Sequence, residues 1–244
     1  MTILVTGGTG RLGRHVVAAL RSAGEDPRIV SRTPGAGHHV ADLATGAGLT
    51  EALIGINTVL HLATSRSKDI GQTNRLLDAL AGSDVRHLIF ISIVGVDRIP
   101  FGYYKDKVAS EQAIESSGIP YTIIRVTQFH GFVHEFLEAQ RRLPVTVILP
   151  ISAQTIHMAE VATRLAKLGQ GEPSGRVPDL GGPEQLTLRE YAQRWQRHLG
   201  VKRPIWTFRL PGKTITAFRA GHHMSGLPGE GVVTFGQYLS DGPE

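Results

Sequence analysis

Thr6-Gly7-Gly8-Thr9-Gly10-Arg11-Leu12-Gly13 is the stretch on which the fold turns. It follows the apolar run Ile3-Leu4-Val5 and opens a segment, residues 11 to 23, with Leu12, Val16, Ala19 and Leu20 on one helical face and Gly24 as its stop. A strand that ends in glycines and passes straight into a helix gives the spacing G-x-x-G-x-x-G at Gly7, Gly10 and Gly13 its meaning. Glycines permit a positive φ in the turn and let backbone N–H groups approach a pyrophosphate closely. The helix start adds unpaired N–H groups and partial positive charge for that anion. Gly7, Thr9, Gly10, Arg11, Leu12 and Gly13 are therefore the expected phosphate-binding residues, with Gly13 also admitting close packing of helix on sheet. A plain strand-to-helix turn seldom needs three glycines in this register.

Working outward, short apolar runs recur at Arg28-Ile29-Val30-Ser31, Val40-Ala41, Thr58 to Leu62, His87 to Ser92 and Tyr121 to Arg125. Helical spacing occupies Gln72 to Leu80 and residues 103 to 117, the latter closed by Gly118. Strands alternating with helices at this rhythm specify a parallel sheet with helices on its two faces. The strands read as near-continuous apolar runs, as they must when neither face meets water. The expected fold is α/β, a doubly wound parallel sheet of Rossmann type with a small C-terminal lobe for substrate. Residues 1–128 form the expected nucleotide-binding core, and residues 129–244 supply the remaining strands and the lobe. In that second part Val145 to Leu149 reads as a strand and His157 to Leu168 as a helix. Thr187 followed by Glu190 is the signature of a capping box opening another helix.

The end of the second strand separates two cofactors. Binders of NAD usually place an acid there for the ribose hydroxyls. This chain has Ser31-Arg32, and a guanidinium holds a 2′-phosphate by charge-assisted hydrogen bonds where a carboxylate would repel it. NADP(H) is thus favoured over NAD(H), with Arg11 as a second partner for the phosphate. Asp42-Leu43 after the third strand lies where adenine would run; Asp42 is suited either to accept from the adenine amino group or to cap a helix. Ala63-Thr64 after the fourth strand leaves room for a ribose at the switch point of the sheet.

Bulk properties limit the alternatives. The 244 residues are 41% hydrophobic and 19% charged, an ordinary globular balance with length for a sizeable core. No apolar run approaches the roughly 20 residues that span a bilayer, and the chain enters a strand pattern at once without a basic leader. The absence of cysteine excludes disulfides and thiolate catalysis, and fits a reducing cytoplasm. Net charge is +5, and the basic residues are scattered, with Arg141-Arg142 and Lys202-Arg203 as the adjacent pairs. Without an aromatic-interleaved basic stripe or a zinc-finger spacing, an anionic small ligand accounts for the charge better than nucleic acid or a membrane. A homodimer is left open.

Several segments together resemble the atypical short-chain dehydrogenase/reductases of the NmrA-like, NAD(P)H-binding group. They are the glycine loop, Ser92-Ile93-Val94-Gly95-Val96-Asp97, Tyr103-Tyr104-Lys105-Asp106-Lys107, Arg125-Val126-Thr127-Gln128-Phe129 and Gly181-Gly182-Pro183-Glu184. The resemblance implies NADP(H) in the glycine loop and a substrate cleft between sheet and lobe. It also implies a catalytic set of Ser92, Tyr103 and Lys107. Hydride delivery to a carbonyl carbon leaves an oxygen that needs a proton, which a tyrosine of ordinary pKa releases reluctantly. A lysine one helical turn on favours the phenolate and reaches the nicotinamide ribose, and a serine orients the carbonyl. Tyr103 and Lys107 have that spacing, although Tyr104 competes with Tyr103 for the cleft. Val126 stands where many members carry proline, and the backbone of Val126-Thr127 is expected to pass the nicotinamide.

The implied activity is NADPH-dependent reduction of a small apolar carbonyl, quinone or conjugated substrate. The alternatives are an NADP(H)-sensing regulator that binds a partner, and an epimerase or isomerase on the same scaffold. His130 and His134 have helical spacing but no zinc signature, so no metal site is expected. His38-His39 and His222-His223 read as loop residues. Gly212-Lys213-Thr214 lacks the upstream glycine of a phosphate loop.

Overall fold

The structure is a computed structural model that describes residues 2–35, 37–65, 69–226 and 228–243. The first half of the chain contains β1 (Ile3–Thr6), α1 (Arg11–Ser22), β2 (Arg28–Ser31), β3 (His38–Val40), α2 (Leu49–Leu53) and β4 (Thr58–His61), then α3 (Asp69–Leu80), β5 (His87–Ile93), α4 (Gly102–Ser116) and β6 (Tyr121–Val126). The second half adds β7 (Gln128–Phe129), α5 (His130–Glu138), β8 (Thr146–Ile148), β9 (Ser152–Ile156), α6 (Met158–Gly169) and β10 (Gly175–Arg176). It closes with β11 (Gln185–Thr187), α7 (Leu188–His198), β12 (Ile205–Thr207), α8 (Lys213–Arg219) and α9 (Phe235–Asp241).

Seven strands form one sheet in the order β10-β6-β5-β4-β1-β2-β3. β1 pairs in parallel with β2 and β4, β2 with β3, β4 with β5, and β6 with β10. This is the doubly wound, Rossmann-type sheet expected from the sequence. The order reverses between β1 and β4, the switch point outside which open α/β sheets bind ligands. His38 and His39, expected in a loop, instead belong to β3, paired with Ile29 and Val30. At the end of a sheet, backbone pairing decides over side-chain propensity, so two half-buried imidazoles are tolerated there.

The chain divides into two compact units. The first comprises residues 1–92, 102–125 and 159–178, and the second residues 93–101, 126–158 and 179–244. In the first unit, Leu4, Val59, Leu88 and Phe90 of the strands meet Leu53 of α2, Leu76 and Leu80 of α3, and Ile114 of α4 in one buried cluster. α4 is further clamped to β6, because Glu111 takes two hydrogen bonds from Arg125 at 2.9 and 2.7 Å and one from Arg176 at 2.9 Å. A buried carboxylate met by two guanidiniums in this way is satisfied, and removing one partner would strand the other. The clamp fixes the helix that carries Tyr103 and Lys107.

The second unit has its own core, in which Trp195 and Tyr191 of α7 pack with Leu137 of α5 and with Phe235 and Leu239 of α9. β9 lies between β7 and β11, and β8 pairs in parallel with β12. Thr187 and Glu190 form the expected capping box, and Thr234 with Gln237 forms a second one at α9. No described helix is long and apolar enough to cross a membrane.

Candidate active site

The site is built at the C-terminal ends of β1, β4 and β5, which the register places side by side: Thr6 opposite His61, and His61 opposite Phe90. Gly7 has φ +69°, and a Cβ there would sit 2.7 Å from the backbone nitrogen of Ala63. A Cβ on Gly13 would come within 2.1 Å of the Gly7 carbonyl oxygen. Only hydrogen at these positions lets the loop lie against the segment that follows β4 and against the first turn of α1. The Gly10 N–H closes the loop onto the Gly7 carbonyl at 2.9 Å. Gly10 is also the N-cap of α1 and offers no side chain to the helix, whose first turn holds no acid. The residues present therefore suit a dinucleotide diphosphate: the cradle is cleared of side chains and opens on an uncapped helix start.

Beneath the loop lies a buried polar chain. The Thr6 hydroxyl meets His61 Nδ1 at 2.8 Å, His61 Nε2 meets the Thr73 hydroxyl at 3.3 Å, and Thr73 donates to Ser110 at 3.2 Å. Burial foremost, and then the Lys107 charge, push the His61 imidazole down to about 3, so it is neutral. Its ring stacks on Phe90 at 5.6 Å.

Lys107 is buried, with its ammonium 3.3 Å from Asp69 and 4.6 Å from the centre of the Phe90 ring. Burial pushes the Lys107 ammonium below its usual range, and Asp69 opposes that shift. Burial alone would raise the Asp69 carboxyl, but Lys107, the Ser65 N–H and the Thr64 hydroxyl outweigh it and hold it below the carboxylate range. Thr64 donates to Asp69 at 2.8 Å and Ser65 N–H donates at 2.6 Å. Thr64 also lies 3.1 Å from the Tyr103 hydroxyl. With its one proton directed at the carboxylate, Thr64 accepts from Tyr103. The four side chains thus form a continuous line, Tyr103 to Thr64 to Asp69 to Lys107.

The sequence-derived candidates are distributed unevenly. Tyr103 is half-buried at the mouth of this line, while Tyr104 is enclosed. Burial, with Tyr103 adding, raises Tyr104 to about 12 and keeps it protonated. Ser92 is buried, and its hydroxyl has no hydrogen-bond partner among the described residues. Two residues after Phe90, it leaves the sheet on the face that Lys107 covers. Arg11 and Arg32 are exposed, and Arg32 makes no ion pair with a described residue. Ser31 turns its hydroxyl to the Thr33 N–H. Asp42 caps its own turn, accepting from the Ala44 N–H at 2.8 Å, and Leu43 is packed in the core. Leu12 is half-buried and Thr9 exposed in the loop itself. Val126 and Thr127 are in the second unit, where the Thr127 hydroxyl takes the Gly182 N–H at 3.3 Å. His130, also there, is buried between Thr155 and the Val233 carbonyl.

Asp69 escapes a reading of the sequence. It is far from Lys107 along the chain, and nothing local distinguishes it from an ordinary acid in a first helical turn. The nearest signal is its spacing of four from Ser65, whose N–H it takes.

Comparison with known proteins bears on the family and the fold. The model of a family described as NAD(P)H-binding matches residues 7–168. The chain is 30% identical to the (4-alkanoyl-5-oxo-2,5-dihydrofuran-3-yl)methyl phosphate reductase of Streptomyces griseus, over 83% of this chain and 75% of that protein. It is also 30% identical to the photosystem II assembly factor Ycf39 of Trieres chinensis, over 92% and 79% of the two chains. The crystal structure of the NADPH-dependent quinone oxidoreductase QOR2 from Escherichia coli, complexed with NADPH, superposes with a TM-score of 0.85. That match covers 98% of this chain and 99% of the other at 20% identity, and so concerns the fold.

Proposed function

The chain belongs to the NAD(P)H-binding family, in the atypical short-chain dehydrogenase/reductase branch of NAD(P)H-dependent oxidoreductases, and from that premise we propose that it uses NADPH to reduce a small apolar carbonyl, quinone or conjugated compound. The observation that carries the reading is the line Tyr103–Thr64–Asp69–Lys107 beside a glycine loop cleared for a diphosphate. When bound, NADPH would supply the hydride equivalent, which becomes the new C–H bond of a carbonyl or conjugated substrate and reduces a quinone to its hydroquinone.

The protein's own part follows from its geometry. The open N–H groups of α1 hold the diphosphate, and Arg32 and Arg11 hold the 2′-phosphate that sets NADPH apart from NADH. Lys107 reaches for the ribose, with Asp69 keeping its ammonium charged and aimed despite burial. Asp69 also offsets much of the Lys107 charge. Tyr103 donates its phenolic proton to the oxygen of the reduced carbonyl, and its half-exposed position lets water restore that proton. Ser92 offers its unengaged hydroxyl to the same oxygen. Substrate recognition is assigned to the second unit, whose α5 exposes Phe132 and Phe136. The working compartment is the cytoplasm.

The test is NADPH oxidation measured over ketones, enones and quinones, with Tyr103→Phe beside the parent. With a carbonyl acceptor the variant should lose on the order of a hundredfold in kcat or more while binding NADPH as tightly as before. With quinones the loss should be small, because the product takes its proton from water. Unchanged carbonyl turnover would remove Tyr103 from the chemistry. A second reading, a nucleotide-responsive binding protein, draws on the likeness to the assembly factor. NADPH binding without oxidation by any acceptor class would select it.

A further inference from the structure

We propose that the face carrying β12 is a docking surface for an anionic lipid bilayer. β12 lies beside β8, with Trp206 opposite Val147 and the Phe208 N–H donating to the Ile148 carbonyl at 2.8 Å. Successive residues of a strand face opposite ways. Ile205 packs against the core of the unit, and the Thr207 hydroxyl takes a hydrogen bond from Arg189 of α7 at 3.0 Å. Trp206 and Phe208 therefore face outward, and they are 62% and 58% exposed. Leu143, three residues ahead of β8, and Leu210, three residues after β12, are exposed as well. Arg203 ties the neighbouring chain down through hydrogen bonds to the Arg141 and Leu143 carbonyls. Large apolar side chains grouped in water on one ribbon mark a surface meant to be covered.

Charge identifies the cover. The stretches of sequence that carry β8 and β12, residues 139–159 and 191–229, contain nine Lys and Arg and no Asp or Glu, although Arg194 among them is paired with Glu184. The remainder of the chain carries 17 basic residues against 21 acidic ones, so the positive excess of the whole molecule resides in these two segments. Scattered along the sequence, these charges show no pattern; the parallel pairing of β8 with β12 brings Arg141 and Arg142, ahead of the one, near Lys202 and Arg203, ahead of the other. Arg142, Lys202, Arg209 and Lys213 are exposed and make no ion pair with a described residue. Arg141 is partnered by Glu138 at the margin of the patch.

An exposed tryptophan and phenylalanine with aliphatic neighbours and basic residues before and after the strand is the composition that seats at a headgroup boundary. A second copy of the chain fits poorly, since a two-fold contact would set one predominantly basic patch against another. Nucleic acid fits less well than lipid, because leucines beside the aromatics suit hydrocarbon better than base stacking. This inference is independent of the activity proposed above.

The protein has two tryptophans, and Trp195 is fully buried, so a change in emission on binding reports on Trp206. The experiment mixes the whole protein with phosphatidylcholine vesicles doped with phosphatidylglycerol, and separately with pure phosphatidylcholine vesicles. Doped vesicles should pellet the protein and shift its emission to the blue, and added salt should reverse both effects. Lys202→Glu with Arg209→Glu should weaken partition about twentyfold or more, near fivefold for each basic residue lost. Trp206→Ser with Phe208→Ser should abolish the pelleting while leaving the circular dichroism spectrum and NADPH binding intact. Failure to bind doped vesicles at low salt, equal binding to neutral ones, or binding undiminished in either double variant overturns the proposal. So does retention on duplex DNA without vesicle binding, or a blue shift that follows protein concentration in the absence of lipid.

Discussion

Two helix starts in this protein are treated in opposite ways. At α7, the Thr187 hydroxyl takes the Glu190 N–H at 3.2 Å, while the Glu190 carboxylate takes the Thr187 N–H at 2.7 Å. At α1, Gly10 stands in the capping position with nothing to offer, and the first turn carries Arg11 and Arg14 instead of an acid. The first arrangement satisfies its donors locally and stabilises the helix on its own. The second leaves donors and positive potential directed outward at the switch point of the sheet. The difference teaches what the glycine loop leaves available: unlike the sealed start of α7, that of α1 keeps N–H donors that an anion can complete.

The comparison breaks most visibly at Gly13. Gly13→Ala places a methyl group 2.1 Å from the Gly7 carbonyl oxygen, so the loop must move. NADPH affinity should fall about a hundredfold or more, roughly 2.7 kcal/mol, by fluorescence titration. Retained affinity would mean that the loop does not hold the diphosphate.

A smaller effect comes from the support under the bare terminus. The His61 pKa, about 3 in the fold against 6.5 when free, means the unfolded chain takes a proton that the folded one refuses. Its contribution to stability is complete above pH 6.5 and declines as pH falls toward 3. Between pH 7 and about 4.5 the parent should lose on the order of 2 kcal/mol more than His61→Gln in urea unfolding. Parallel pH profiles for the two proteins would show that burial does not hold the imidazole neutral.

Arg32→Ala sharpens the account of the anion. The preference for NADPH over NADH should drop about tenfold, with NADH affinity nearly constant. Equal losses for the two nucleotides would remove the guanidinium from the 2′-phosphate. The smallest change belongs to the sealed helix. Thr187→Ala should cost about 1 kcal/mol and lower Tm by a few degrees. NADPH affinity should not respond, since this cap only closes its own helix.

What could be read in advance follows the range of the forces involved. The glycine loop, the second strand ending in Arg32 and the capping box at Thr187 are written within a few neighbouring residues. So is the spacing of Tyr103 and Lys107, although the sequence could not say which of two adjacent tyrosines stays near water. Burial settled that, enclosing Tyr104 and leaving Tyr103 beside Thr64. His38 and His39 defied their reading because pairing with β2 recruits backbone irrespective of side chain. Asp42 remained ambiguous for a different reason: the same carboxylate serves a turn or a ligand, and its bond to the Ala44 N–H shows the turn.

By itself the sequence determined the parallel sheet, its glycine-lined turn and the ends of its best-punctuated helices, because periodicity, positive φ and caps act between near neighbours. Only the tertiary structure decided that Asp69 confronts Lys107, that His61 is neutral under the loop, and that Trp206 stands exposed opposite Val147 of β8. These depend on which distant groups meet and how much water remains between them. No local pattern carries that information, because the cost of desolvating a charge is set by everything packed around it.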